Sequence, residues 1–173
     1  ENTAVRIAAN WALGCACQYR GERGRAKKIF AEVMNDSERI SHYIMHLMST
    51  IGLAMIEQSD GDLARSHELF GKAIVIAGDP PALVASEAHL GLARIYYEWN
   101  DTDRAYDEAR KGAALARFIF NSDRGAAFDL FFAKQRLSRG DTFGASSFVN
   151  SATQVIRQNN YFRLMDEMEL LRV

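Results

Sequence analysis

LARIYYEWNDTDRAYDEARKG, residues 92–112, reads as the end of one helix, a tight turn at Asn100 and a second helix folded back on the first. Leu92 and Ala93 stand eight and seven residues before the turn, and Ala105, Ala109 and Gly112 stand five, nine and twelve after it. A large apolar residue followed by a tiny one lets the first helix approach its partner closely. Small residues after the turn let the second return antiparallel at short range. The same spacing surrounds three other turns. Gly21 has Leu13, Gly14, Ala26, Phe30 and Val33 at these offsets; Gly61 has Leu53, Ala54, Ser66, Phe70 and Ala73; Gly140 has Phe132, Ala133, Ala145, Val149 and Ala152. The turns lie 40, 39 and 40 residues apart, and a period of this length signals a stacked array.

The pattern predicts an all-α chain: a right-handed α-solenoid of about four antiparallel helix pairs with a tetratricopeptide-like repeat, plus a final helix. A tetratricopeptide unit is usually about 34 residues, so the longer period implies extra helical turns, and the proline that commonly closes such a unit is missing at all four positions. First helices are expected at about 2–20, 38–59, 80–99 and 122–139, and second helices at about 24–35, 62–77, 102–119 and 142–158. The whole chain, 1–173, then forms one helical-repeat domain with repeats of about 1–37, 38–78, 79–120 and 121–159 and an extra helix over 160–173. Asp79 suits an N-cap and Pro80 the first helical position behind it. Asp62, Asp101 and Asp141 follow their turn residues, where a carboxylate can cap or complement a helix start.

Composition narrows the class. With 48% hydrophobic and 25% charged residues the chain is globular, and 21 basic against 22 acidic side chains give no field to draw it to nucleic acid or anionic lipid. Direct nucleic-acid contact and membrane association are therefore not expected, and neither a membrane span nor an export signal is written here, so the expected location is cytoplasmic. Cys15 and Cys17, two apart on a helix, point to nearly opposite sides and read as reduced structural thiols. Glu1 at the start, and a last helix apolar on much of its circumference (Phe162 and Leu170 beyond the Tyr161, Leu164, Met165, Met168, Leu171 stripe), lead to the expectation of a fragment of a larger protein.

Catalytic and metal motifs are weak. Ser66 to Ala73 contains Gly71 and Lys72 but lacks the other positions of a phosphate loop, and reads as helix surface. His42 and His46 have the i, i+4 spacing of a metal pair without a nearby third ligand. Asn35 and Asn100 open formal glycosylation sequons that mean nothing without export. No nucleophile, base and orienting group assemble at sensible spacing, so no enzyme is expected, and no metal or catalytic residue is assigned.

The inner surface is the candidate site. In a solenoid of helix pairs the first helices line the concave face, and offsets of 13, 10, 6, 3 and 2 before each turn select the inward residues. They are Ala8, Trp11, Cys15, Gln18 and Tyr19; Met48, Ile51, Met55, Gln58 and Ser59; Glu87, Leu90, Arg94, Tyr97 and Glu98; and Ala127, Leu130, Lys134, Leu137 and Ser138. Trp11, Tyr19 and Tyr97 offer contact surface, and Arg94 and Lys134 offer anchors for a carboxylate or phosphate. Trp11, Cys15, Gln18, Tyr19, Met48, Met55, Gln58, Glu87, Arg94, Tyr97, Glu98 and Lys134 form the predicted ligand-binding set. Ile51, Leu90, Leu130 and Leu137 read instead as packing between repeats. The charged members must be exposed in the groove or paired, Arg94 with Glu98 at i, i+4 being one pairing.

The stretch from Gly91 to Ala116, with its Tyr97-Glu98-Trp99-Asn100-Asp101 run, together with the 40-residue period and the LSRGDTFGA segment at 137–145, resembles the repeat domain of MalT-like, large ATP-dependent LuxR-type transcription regulators. The resemblance covers essentially the whole chain. It implies an activator built from a nucleotide-binding module, this superhelical segment and a LuxR-type helix-turn-helix, the first and last lying outside this chain. No cofactor is then expected here, ATP belonging to a separate domain. The implied partners are a small-molecule inducer or a regulatory protein, together with self-association of the parent protein. YEWND reads mainly as a turn and packing signature, with Trp99 in the core. The alternative is a peptide- or protein-binding tetratricopeptide scaffold with no transcriptional role; only Arg94 and Lys134 are cations on the inner face, which weighs against a carboxylate clamp.

Overall fold

Reversal of the chain at each repeat turn depends on one residue in the left-handed region. Gly21, Gly61, Asn100 and Gly140 have φ of 76°, 87°, 59° and 78°, a conformation cheap for glycine and tolerated by asparagine. The next N–H then reaches back to a carbonyl of the last helical turn: Glu22 to Cys17, Asp62 to Glu57, Asp101 to Tyr96 and Asp141 to Arg136, at 2.8–3.0 Å. This closes the helix end. The three aspartates also start the next helix, accepting from the backbone N–H of Arg65 (2.9 Å), Arg104 (3.1 Å) and Gly144 (2.8 Å). Glu22, one methylene longer, makes no such side-chain bond.

The computed structural model describes residues 3–118 and 123–171. Among them the chain forms α1 (Thr3–Tyr19), α2 (Arg23–Arg39), α3 (Tyr43–Ser59), α4 (Leu63–Ala77), α5 (Ala85–Glu98), α6 (Thr102–Ala116), α7 (Asp123–Ser138), α8 (Thr142–Asn159) and α9 (Phe162–Leu170), with no strand. Consecutive helices pack on each other. Each odd-numbered helix also touches the next odd one, whereas the even-numbered helices do not meet. The odd helices thus form one continuous layer and the even helices a second, separated set, which is the α-solenoid the spacing predicts.

Helix α6 stops at Ala116, short of the expected 119, and two other boundaries differ more from the sequence expectation. Helix α2 runs on to Arg39, and the reversal falls at Ser41 (φ 55°), with His42 rather than residue 38 opening α3. No glycine marks this turn, so it carries no signal. Helix α5 begins at Ala85, not at Pro80: residues 78–84 form turns, and the Asp79–Pro80 peptide is cis. A proline disfavours helical backbone in the residue before it, so Pro81 bars Pro80 from the first helical position. The expected limits at 2, 119, 122 and 172–173 lie outside the described residues.

The repeat grammar describes the core. Ala26, Ser66, Ala105 and Ala145 are fully buried, as are Ala54, Ala93 and Ala133. Phe30, Phe70 and Phe128 fill the space between helices where a glycine faces each ring: Phe30 lies between Gly14 of α1 and Gly52 of α3, Phe70 meets Gly91 of α5, and Phe128 meets Gly112 of α6. A β-carbon on Gly14 or Gly52 would stand 2.7 or 2.9 Å from the Phe30 ring, so these glycines set how closely the helices stack. Leu13 departs from the pattern at 43% exposure.

Candidate functional site

A groove of about 870 Å³ opens on the layer of odd-numbered helices. Trp11, Cys15, Gln18 and Tyr19 of α1 and Met48, Ile51, Met55 and Ser59 of α3 form its wall, with the Phe30 ring behind them. The far rim comes from the first turns of later helices: Glu87 of α5, Asp123 and Arg124 of α7, and Phe162 and Arg163 of α9. The groove therefore crosses the stack diagonally, from the second half of α1 to the start of α9. Its size is that of small-molecule sites, about 300–1,000 Å³.

Every arginine on this groove already has an acidic partner. Arg23 lies 3.2 Å from Asp60 and also donates to the Ser59 carbonyl at 3.3 Å. Arg124 Nε meets Glu87 at 2.8 Å, and Arg163 meets Asp123 at 3.0 Å. With these charges compensated, the wall is chiefly aromatic, thioether and aliphatic. Burial pushes the Cys15 thiol up from its ordinary pKa, which keeps it neutral. Among the described residues the Gln18 amide has no protein partner, so it is free to meet a ligand. Such a groove suits an uncharged amphipathic molecule better than an anion.

The predicted ligand-binding set divides in two. Trp11, Cys15, Gln18, Tyr19, Met48, Met55 and Glu87 come together on the groove. Gln58, Arg94, Tyr97, Glu98 and Lys134 do not, and each makes contacts within the protein. Gln58 donates to the Gly91 carbonyl at 3.5 Å. Arg94 reaches both oxygens of Glu167 on α9, at 3.1 and 3.4 Å. Lys134 Nζ lies 3.7 Å from Glu98 and 4.5 Å from the centre of the Tyr97 ring, which meets Phe131 edge-on. The expected Arg94–Glu98 pair is not formed, because α7 and α9 bring tertiary partners to both residues. Ile51, Leu90 and Leu130 are buried as packing residues, and Leu137 packs partly buried against the last repeats.

Arg23, Asp123, Arg124, Phe162 and Arg163 were not selected by the turn offsets. Those offsets point to the second half of each first helix. The diagonal course of the groove instead brings in the first turns of α7 and α9, and no sequence periodicity carries that tilt.

Trp99 is a second correction: it is 46% exposed rather than core. It stacks beside His67 and Tyr96 (ring centres 5.2 and 6.0 Å), while His67 Nε2 lies 2.9 Å from the Tyr96 hydroxyl and Arg104 sits over the Tyr96 ring. His42 opens α3 as an N-cap, accepting weakly from Met45 N–H at 3.5 Å, and His46 is buried. Among the described residues no three acidic, histidine or cysteine side chains are placed to hold a metal, and no helix is long and apolar enough to cross a membrane.

Stacked helix pairs of about 40 residues, a glycine-set approach between layers and an inner groove define a helical-repeat solenoid of the tetratricopeptide type, an architecture that mediates interactions and is generally non-catalytic. The family model for the MalT-like TPR region matches residues 1–173, and the chain belongs to that family. A search of curated proteins gave no match.

Proposed function

We propose that this segment is the effector-sensing and protein-interaction domain of a bacterial LuxR/MalT-type transcription activator. It takes a small inducer or a regulatory protein in the cytoplasm and relays binding to ATPase and DNA-binding domains outside this chain. The family match supports the class of parent protein. The observation that carries the sensing role is the groove, whose wall belongs to α1 and α3 and whose rim belongs to α5, α7 and α9.

A ligand bridging Trp11, Met48 and Met55 to the Glu87–Arg124 rim touches both ends of the stack. Three ion pairs bind the later first helices together: Glu87–Arg124 joins α5 to α7, Asp123–Arg163 joins α7 to α9, and Arg94–Glu167 joins α5 to α9. Filling the groove shifts these pairs relative to the wall, and small rotations between repeats add along a solenoid. The relay requires that the ligand bind one arrangement of the parent protein more tightly than another. Since the groove's arginines are paired, the inducer in this reading is an uncharged amphipathic small molecule, held by aromatic and thioether contact and by Gln18.

A thermal-shift screen of the chain against a panel of small metabolites tests this. Specific binding at a hundred times the dissociation constant stabilises by about 2.7 kcal/mol. A hit abolished by Trp11→Ala or Met55→Ala, but kept in Lys134→Ala, supports the groove. Silence across the panel, with a binding protein partner whose association is lost in the exposed-face variant Phe162→Ala, would replace the small-molecule inducer with a regulatory protein.

A further inference from the structure

We propose a second ligand site on the opposite layer, in the cleft between α6 and α8 above the end of α7, built for a nucleotide-sized organic phosphate. Helices α6 and α8 both pack on α7 but not on each other, which leaves a cavity of about 490 Å³ between them. Tyr106, Arg110 and Ala113 line it from one face of α6 with Arg117 at that helix's C-cap, while Phe132, Gln135 and Arg136 of α7 and Arg139 just beyond it close it, with Phe148 from α8.

Three observations point to a ligand with a phosphate and a flat body. First, four guanidinium groups ring a cavity in a chain whose net charge is −1. Arg136 is held by Asp141 at 2.8 Å and Arg117 acts on Asp129 through space, whereas Arg110 and Arg139 have no acidic partner among the described residues. This contrasts with the groove, where every arginine is paired. Second, Gln135 is 4% exposed and its side-chain nitrogen is buried with no hydrogen-bond partner. A buried amide donor left unpaired is costly, and a rotation of the Gln135 side chain toward the cavity would let a bound oxyanion satisfy it. Third, Tyr106, Phe132 and Phe148 form a chain of rings with centres 5.8 and 5.5 Å apart along the floor, a platform for a flat ring system.

Guanidinium forks pair two oxygens of a phosphate at once, and Arg110 and Arg139 are the groups free to do so. The base or other flat body lies against Tyr106 and Phe148, and the Gln135 amide donates to a phosphate oxygen. Because no residue is shared with the groove, this site stands or falls separately from the sensing role proposed above.

ADP is a suitable probe, followed by the NMR resonances of the Gln135 side-chain amide during titration. The expected result is a saturable shift of that amide, reversed by pyrophosphate. In the exposed-residue variant Arg110→Gln/Arg139→Gln, affinity falls by roughly tenfold or more, while Trp11→Ala leaves it unchanged. Tyr106→Ala weakens ADP more than it weakens pyrophosphate. Absence of any ADP-dependent shift at millimolar concentration overturns the site, as does equal ADP affinity in the double arginine variant.

Discussion

Replacing Gly91 by alanine puts one methyl group where α5 lies against α4, and the outcome follows from what that methyl meets. The new β-carbon would overlap three ring carbons of Phe70, a side chain with no exposed surface. The ring cannot move outward, so either the helices separate or Phe70 leaves its rotamer, at a cost of about 1–3 kcal/mol for overpacking. Alanine in mid-helix returns about 1 kcal/mol over glycine. Overlap with three atoms of a rigid ring argues for the upper part of the range, giving a net loss of about 1–2 kcal/mol. Gly71→Ala is the matched control. It also lies within a helix, but a β-carbon there meets nothing within 4 Å, so it should gain about 1 kcal/mol. At about 2–4 °C per kcal/mol for a chain of this size, far-UV circular dichroism melts separate the two variants. Adding Phe70→Leu to Gly91→Ala should cost less than the two single changes summed. A Gly91→Ala melting temperature equal to or above that of Gly71→Ala would refute the close-approach account of the repeat.

Further outcomes follow from the caps and ion pairs. Asp62→Ala should destabilise by about 1 kcal/mol through loss of the Arg65 N–H cap, whereas Glu22→Ala, with no cap bond to lose, should change chemical denaturation little. Burial opposes ionisation of Glu108, but hydrogen bonds from His89 (2.7 Å) and Lys111 (2.6 Å) outweigh it and hold the carboxyl below its ordinary value of 4.5. A depressed carboxylate contributes stability that is present above its unfolded value and lost as pH falls through the folded one. Stability measured by denaturant titration should therefore drop below about pH 4.5, and Glu108→Gln should flatten that acid limb. The Arg94–Glu167 pair is about one-third exposed on each side, so a double-mutant cycle should yield no more than about 1 kcal/mol. Limited proteolysis should nevertheless show α9 released earlier in Glu167→Ala, since few other contacts bind α9 to α5.

The architecture was legible in the sequence because its determinants are local. A left-handed residue, an aspartate behind it and small residues at fixed distances act within a dozen positions, and Asp62, Asp101 and Asp141 cap as their place predicts. The turn at Ser41 was invisible because serine seldom adopts positive φ, and nothing else at 38–43 breaks a helical reading. Half of the groove was legible for the same reason as the core: Trp11, Cys15, Met48 and Met55 lie on the helical stripe adjacent to the packing residues. The partners of Arg94, Glu98 and Lys134 were not, because an i, i+4 rule sees one helix while Glu167 is 73 residues away. Trp99 misled because a tryptophan beside a repeat turn satisfies the packing pattern equally well when it rests on neighbouring rings at the surface.

The two cavities differ in how their arginines are balanced, and that difference bears on how one small domain could answer two ligands. In the groove, each guanidinium holds a carboxylate, two of these pairs joining successive first helices. A charged ligand would have to break a pair before gaining one, so selection there falls to shape and apolar contact. In the outer cleft, Arg110 and Arg139 are exposed and have no acidic partner among the described residues, so an anion gains contacts there without breaking any of the ion pairs described. Both cavities nonetheless share α7: its first turn supplies Asp123 and Arg124 to the groove, and its last turn supplies Gln135, Arg136 and, just beyond, Arg139 to the cleft. A shift of α7 that tightens one end is felt at the other. By reciprocity, a ligand in the groove must change affinity in the cleft by the same factor that the cleft ligand changes affinity in the groove. Measuring each affinity with and without the other ligand tests that coupling: a factor different from one supports α7 as the shared element, and a factor of one would show that α7 carries no shift between the two sites.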